Sequence, residues 1–253
     1  MNQSFLVANW KMHCTVKQTV QSLKQIIDKS SLFPKTRLII CPPFTSLAPA
    51  NRLILNTPIA LGAQTLNHRS EGPYTGEISP QMISEFCDYV ILGHSERRLL
   101  FGETSHDINL KSVAAIHHAL QPIICLDGQS DSTRNNFTGR TLNTDELVMQ
   151  VLDAIKAFPQ NSNFLFAYEP TWAIGSGEAA DPVEVNNIAA TIREVITNTM
   201  DSETGLSVPI LYGGSVTLNN INDYCKLPEV NGALVGGASL DPEQLVQLAT
   251  TIQ

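Results

Sequence analysis

Eight short apolar runs recur along this chain, at residues 5–9, 37–41, 59–64, 89–93, 122–126, 164–168, 208–212 and 232–235. They are continuous more than alternating, the pattern of strands buried on both faces of a parallel sheet. Helical stretches separate most of them, near residues 16–27, 45–56, 80–87, 105–119, 144–157 and 183–200. In the first, Val16, Val20, Leu23 and Ile27 recur at a helical period. A last helix starts after the N-cap Asp241 with Pro242 in its first turn, and Pro80 opens the short third one. Eight βα units in 253 residues predict an α/β fold, a closed (β/α)8 barrel of eight parallel strands ringed by helices, as one domain over residues 1–253. A doubly wound open sheet is the runner-up, but the first βα turn lacks the GxGxxG that such sheets use for dinucleotides.

The sixth run carries the most pointed chemistry. It ends in Tyr168-Glu169-Pro170, so a carboxylate stands where the strand stops, and Pro170 ends the ladder because it has no N–H. Thr171, Trp172, Ala173, Ile174, Gly175, Ser176 and Gly177 follow, an apolar middle between a rigid and a permissive end. Apolar side chains on a loop are costly in water unless the loop closes over something. The segment 170–177 therefore reads as a lid above a positioned base. The plainer reading is a strand-end Glu that caps a helix or pairs with an arginine.

In a barrel, the groups at the C-terminal strand ends form the site. Those ends supply Asn9 and Lys11, then His94, then Glu169, then Gly213-Gly214-Ser215 and Gly236-Gly237. Taken singly, these would be a surface cation, a helix-entry residue and tightly packed glycines. Together they describe a phosphate cradle of backbone N–H groups, a base and a hydrogen-bond donor, a set suited to proton transfer beside a carbonyl. The chain carries 16 basic and 24 acidic residues, a formal charge of -8, which disfavours nucleic acid and anionic membranes as partners. An anionic substrate consequently needs local positive charge, which Lys11 supplies.

Cys14, Cys41, Cys87, Cys125 and Cys225 are odd in number and never form a CxxC pair, so reduced intracellular thiols fit better than zinc or a disulfide framework. The N-terminus shows no signal pattern and no 18-residue apolar run occurs, so a cytoplasmic location is expected.

The motifs Ala8-Asn9-Trp10-Lys11, Gly62-Ala63-Gln64, Tyr74-Thr75-Gly76-Glu77 and Leu92-Gly93-His94-Ser95-Glu96-Arg97-Arg98 stand in this order. Ala167 to Gly175, Tyr212-Gly213-Gly214-Ser215-Val216 and Val235-Gly236-Gly237-Ala238 complete the series. The chain resembles the triosephosphate isomerase family over nearly its whole length. That resemblance implies a TIM barrel that interconverts dihydroxyacetone phosphate and D-glyceraldehyde 3-phosphate through an enediol, in glycolysis and gluconeogenesis, with no cofactor and no metal. It makes Glu169 the proton carrier and His94 the group that polarises the carbonyl. In this family the histidine is an established case of an imidazole kept neutral by a helix N-terminus, here the one starting at Ser95 and Glu96. Asn9 and Lys11 would contact substrate, while Gly175, Ser215, Gly236 and Gly237 would donate to its phosphate. Glu96 would sit behind the site.

The resemblance further implies a homodimer, with Thr75 of the loop 65–79 close to Asn9, Lys11 and Cys14 of the other chain. Three departures stand out. Asp127-Gly128 follows Cys125-Leu126 where the family usually has Gly-Glu, residues 129–144 follow the pattern loosely, and Glu178 stands where a lysine is common. Competing readings are a sugar-phosphate epimerase, an aldolase, or a catalytically silent homologue acting as a binding protein. The first wants metal ligands and the second a Schiff-base lysine inside the barrel, and neither is evident. The third would have no reason to retain Asn9, Lys11, His94 and Glu169 together.

Overall fold

The computed structural model describes residues 3–127, 143–173 and 178–253. Its strands are β1 (Ser4–Asn9), β2 (Thr36–Cys41), β3 (Ala60–Ala63), β4 (Tyr89–Leu92), β5 (Gln121–Leu126), β6 (Leu165–Tyr168), β7 (Ile210–Tyr212) and β8 (Gly232–Val235). All pair in parallel, each with its sequence neighbour, and β8 returns to β1, so the sheet is the expected closed barrel. The helices are α1 (Val16–Asp28), α2 (Leu47–Ile54), α3 (Pro80–Ser84), α4 (Ser95–Phe101), α5 (Ser105–His117), α6 (Thr144–Ile155), α7 (Pro182–Thr199), α8 (Ser202–Ser207), α9 (Ile221–Cys225) and α10 (Pro242–Thr251). Among the described residues no helix is long and apolar enough to cross a membrane.

The apolar runs are continuous because each strand serves two cores. Val7, Ile39, Ile91, Ile123, Leu165, Leu211 and Leu234 pack together with other strand residues inside the barrel. Their sequence neighbours, among them Leu6, Leu38, Val90 and Phe166, pack outward against helix residues such as Leu23, Ile26, Leu147 and Ile192. Both sets are buried, so the period of two is invisible in hydropathy.

Helix starts follow their caps. Thr15 and Thr104 form capping boxes with Gln18 and Asp107, while Asp181 and Asp241 accept from first-turn amides beside Pro182 and Pro242. The sequence reading missed α8 and α9, whose six and five residues are too few to display a helical period. It also began the seventh strand at residue 208, where Val208 instead caps α8 and the ladder starts at Ile210. The stretch expected as a helix over 45–56 opens as a 3-10 turn, Phe44–Ser46, and ends at Ile54.

At the end of the barrel away from the strand C-termini, Arg193 of α7 ties α8, β7 and β8 together. Its guanidinium pairs with Glu229 at 2.7 Å and donates to the carbonyls of Gly205, Val208 and Glu229. Closure itself rests on Gly232, which has φ +153° and sits so near Phe5 that a Cβ would run into the Phe5 backbone carbonyl. Gly232→Ala is therefore expected to cost on the order of 3 kcal/mol, since neither the backbone angle nor the clash can be relieved by a rotamer change. Urea unfolding monitored by circular dichroism measures it, and a loss below ~1 kcal/mol would contradict this account of closure.

Candidate active site

The strand ends bring residues from five loops around one cavity of about 350 Å³. Asn9, Lys11, His94, Glu169, Gly213, Gly214, Ser215, Gly236 and Gly237 all line it.

Lys11 follows β1 with a left-handed backbone, φ 49°. Two bonds hold that unusual conformation: its N–H donates to Asn9 Oδ1 at 3.0 Å, and its carbonyl accepts from Gln64 Nε2 at 2.8 Å. Gln64 also donates to Cys41 O at 2.9 Å, linking the ends of β1, β2 and β3. The Lys11 ammonium lies 2.5 Å from Glu96 Oε1, which fixes a long side chain in one place.

His94 is the N-cap of α4, and its Nδ1 accepts the Glu96 amide at 3.2 Å. A ring nitrogen that accepts carries no proton, so the imidazole N–H is on Nε2. Nε2 stands 3.3 Å from Glu169 Oε1, and Glu169 Oε2 accepts the Ser95 amide at 2.8 Å. Glu169 is 1 % exposed, and its carboxylate lies at the start of α4, where unpaired amides and the helix dipole favour an anion. The Cys125 thiol is its other close neighbour. Burial first, and the Glu169 carboxylate second, push that thiol well above its ordinary range.

The opposite wall is made of backbone. Gly237 begins a 3-10 turn, Gly237–Ser239, whose start faces the cavity, and Trp10 Nε1 anchors the turn by donating to Ser239 O at 3.1 Å. Asn220 secures the other glycine loop by donating to Ser215 O at 2.9 Å and accepting from Thr217 N at 2.7 Å. Close approach requires the glycine at 213, where a Cβ would meet Glu169 Cγ at 2.8 Å; at 236 a Cβ would press on Lys11 Cε at 3.1 Å. Turn-start amides opposite a lysine are an anion-binding geometry.

Of the residues read from the sequence, Asn9, Lys11, His94, Glu169, Ser215, Gly236 and Gly237 thus converge on one cavity, with Ser95 and Glu96 behind it. Pro170 is buried, and Thr171, Trp172 and Ala173 form a 3-10 turn. Ile174, Gly175, Ser176 and Gly177 lie outside the described residues, as do Gly128 and residues 129–142. Cys14 is half-buried with φ 70°, and Thr75 is exposed. Asp127, a departure from the family pattern, is buried and accepts from Gln150 Nε2 at 3.0 Å.

The sequence reading gave no role to Gln64, Cys125, Asn220 or Arg98. Arg98 is buried and joins β4 to β5 through the carbonyls of Gly93 and Cys125, at 2.9 and 3.1 Å. A charged residue inside a short helix had no signal of its own to mark it as buried. A larger groove between α6 and α7, lined by Thr144, Leu147, Asp181 and Glu184 among others, gathers no comparable set of base, donor and cation.

A closed barrel that sets a buried base against an imidazole N–H, opposite an anion cradle at the strand ends, defines a phosphate-binding (β/α)8 enzyme. Residues 4–252 match the family described as Triosephosphate isomerase. Among curated relatives, triosephosphate isomerase of Dehalococcoides mccartyi is 42% identical over 251 residues, 98% of this chain and 96% of that protein. That of Dictyoglomus thermophilum is 41% identical over 246 residues, covering 96% and 97%, and that of Chlamydia muridarum 39% over 253, covering 99% and 92%. The chain belongs to the triosephosphate isomerase family.

Gly236→Ala tests the wall. The added methyl presses on Lys11 Cε at 3.1 Å and shifts that side chain while leaving the fold intact, and it should weaken competitive inhibition by inorganic phosphate by up to about tenfold, the loss of one charge-assisted contact. An unchanged inhibition constant would show that Lys11 and Gly236 do not act together.

Proposed function

We propose that this chain interconverts dihydroxyacetone phosphate and D-glyceraldehyde 3-phosphate, with Glu169 carrying the proton and His94, Lys11 and Asn9 holding the oxygens. The observation that carries this reading is the 3.3 Å pairing of His94 Nε2 with Glu169 at one wall of a cavity whose other wall is an anion cradle. Triose phosphates present these features together: a phosphate at one end, and a carbonyl beside a carbon bearing a removable proton at the other.

The substrate phosphate lies against the loops of Ser215, Gly236 and Gly237, with Gly175 of the lid 170–177 as a further donor. Lys11 balances its charge, which a chain of net charge -8 does not do as a whole. Glu169 takes the proton from C1 of dihydroxyacetone phosphate, and the C–H electrons form the enediolate double bond, leaving negative charge on the C2 oxygen. His94 Nε2–H and the Lys11 ammonium donate to that oxygen, which is where preorganised donors contribute most. Glu169 then returns the proton to C2, while the hydroxyl proton passes from O1 to O2 through His94. The proposed chemistry uses no cofactor.

The Ser95 amide occupies Glu169 Oε2 and His94 Nε2 stands beside Oε1, so an incoming substrate competes with these contacts for the carboxylate. Glu96 holds Lys11 from behind and leaves its outer side to the substrate. Convergence of Asn9, Lys11, His94 and Glu169 on one cavity supports an enzyme over a silent binding homologue.

We also propose that the working species is a homodimer. Met12, Phe44, Tyr74, Met82, Leu100 and Phe101 are exposed, and all belong to the segments that follow β1, β2, β3 and β4. Adjacent strands thus bring these side chains to one side of the barrel rim, an apolar surface that a second copy would cover. The loop 65–79 is well braced for docking. The Asn67 side chain donates to Glu77 at 2.7 Å and its backbone N–H donates across the loop to Ile78 O at 2.9 Å, and Arg69 lies over the Tyr74 ring. Thr75 would insert beside the partner's first strand end, near Cys14.

A coupled assay with dihydroxyacetone phosphate tests the activity, and no turnover by folded protein would overturn it. Glu169→Asp draws the carboxylate back by about 1 Å and should lower kcat on the order of 10²-fold with little change in KM. A wild-type kcat would remove Glu169 from its role. Thr75→Arg should give monomers in sedimentation velocity, with kcat lower by the order of 10²-fold because Lys11 loses its external support. A fully active monomer at nanomolar protein would contradict the dimer's part in catalysis.

A further inference from the structure

Ala180 is where the chain leaving Glu169 rejoins the barrel, just before α7, and it is held by two tyrosines at once. Its N–H donates to Tyr212 Oη at 3.0 Å, and its carbonyl accepts from Tyr224 Oη at 2.6 Å. The two rings lie flat on each other, with centroids 3.9 Å apart and planes 20° from parallel. Ala180, Tyr212 and Tyr224 are all buried, at 2%, 0% and 2% exposure. Tyr224 gives its one hydroxyl proton to the Ala180 carbonyl, while Tyr212 Oη accepts the Ala180 amide. Each of the four polar groups, the amide, the carbonyl and the two hydroxyls, thus has a partner.

The other face of this pair touches the cavity wall. A Cβ at position 214 would run into the Tyr212 hydroxyl, so Gly214 admits the phenol directly against the loop that carries Ser215. Ala180, the two phenols and the glycine loop therefore form one packed unit. Tyr212 alone would leave Ala180 a pivot about a single hydrogen bond. The second bond, from Tyr224, fixes its rotation as well as its position. Apolar packing alone would be met by phenylalanine or leucine at 224, so the hydroxyl has a separate role.

We propose that Tyr224 is a positioning residue for the isomerase site. Through the Ala180 carbonyl it sets the point at which the segment after Glu169 returns to the barrel, in register with the loop of Gly213, Gly214 and Ser215. The proposal rests on the isomerase reading and adds to it a residue that touches no substrate.

The test compares full-length wild type with Tyr224→Phe and Tyr224→Leu, each checked for folding by circular dichroism. Tyr224→Phe keeps the stacked ring and removes one donor. The KM for dihydroxyacetone phosphate should rise about 5- to 10-fold, the effect of one lost hydrogen bond. A larger share of turnovers should also end with the enediolate expelling its phosphate, read as inorganic phosphate released. Tyr224→Leu should do no worse than Tyr224→Phe in these two readouts, although its melting temperature falls further.

Unchanged KM and phosphate release in Tyr224→Phe would overturn the role, whatever the melting temperature does. So would a normal Tyr224→Phe beside an impaired Tyr224→Leu, because ring packing would then suffice. Should Tyr224→Phe not fold, hydrogen exchange in wild type decides: the Ala180 amide should exchange more slowly when inorganic phosphate saturates the protein, and an unaffected rate overturns the coupling. Wild type without isomerase activity would instead sink the isomerase reading itself, an outcome distinct from all of these.

Discussion

Closure of the sheet is the constraint from which the site follows. β8 returns to pair with β1 because Gly232 lets its backbone lie against Phe5, and every strand then runs in the same direction around one axis. Parallel strands in a closed sheet have all their C-terminal ends on one rim. Asn9, His94, Glu169, Ser215 and Gly236, spread over most of the chain, meet there without any local pairing between them. The interior cannot hold the site, since Val7, Ile39, Ile91, Ile123 and their neighbours fill it. Chemistry is thereby confined to the rim, and the closed barrel fixes the spacing of the groups that perform it.

The electrostatic arrangement answers a difficulty posed by composition. A chain with net charge -8 repels a phosphorylated substrate at long range and must attract it locally. In the proposed site the attraction comes from backbone more than from side chains: a turn start at Gly237 and the glycine loop after β7, with Lys11 as the cation between them. Such donors cost little to orient because the fold already fixes them. Within the chain, Asn9, Gln64 and Glu96 each hold a different part of Lys11.

His94 and Glu169 are coupled through α4. The Ser95 amide binds the carboxylate and the Glu96 amide binds His94 Nδ1, so the same helix start holds the base and selects the imidazole tautomer. One short helix therefore sets the geometry of two of the proposed catalytic side chains. Arg98, from the next turn, fastens that helix to β4 and β5 and keeps both in place. On the far side of the cavity, the Tyr212–Tyr224 pair plays a corresponding part for the chain that leaves Glu169.

The sequence by itself determined the number of βα units, the order of the strands and the residues at the strand ends. Two-sided burial leaves unbroken apolar runs, and caps such as Asp181 and Asp241 mark helix starts locally. Family motifs carried the chemistry of Asn9, Lys11, His94 and Glu169, since those residue types recur at fixed places in the chain. Which face of each strand looks inward could not be read, because Leu6 and Val7 are equally apolar and only the curvature of the sheet separates them. Short helices such as α8 and α9 were equally hidden, being stabilised by packing against α7 and β8 more than by any pattern of their own. The imidazole tautomer, the Ser95 bond to Glu169 and the two phenols on Ala180 were decided by the tertiary structure alone. Each joins atoms from separate loops, and a hydrogen bond's direction depends on where its partner stands in space.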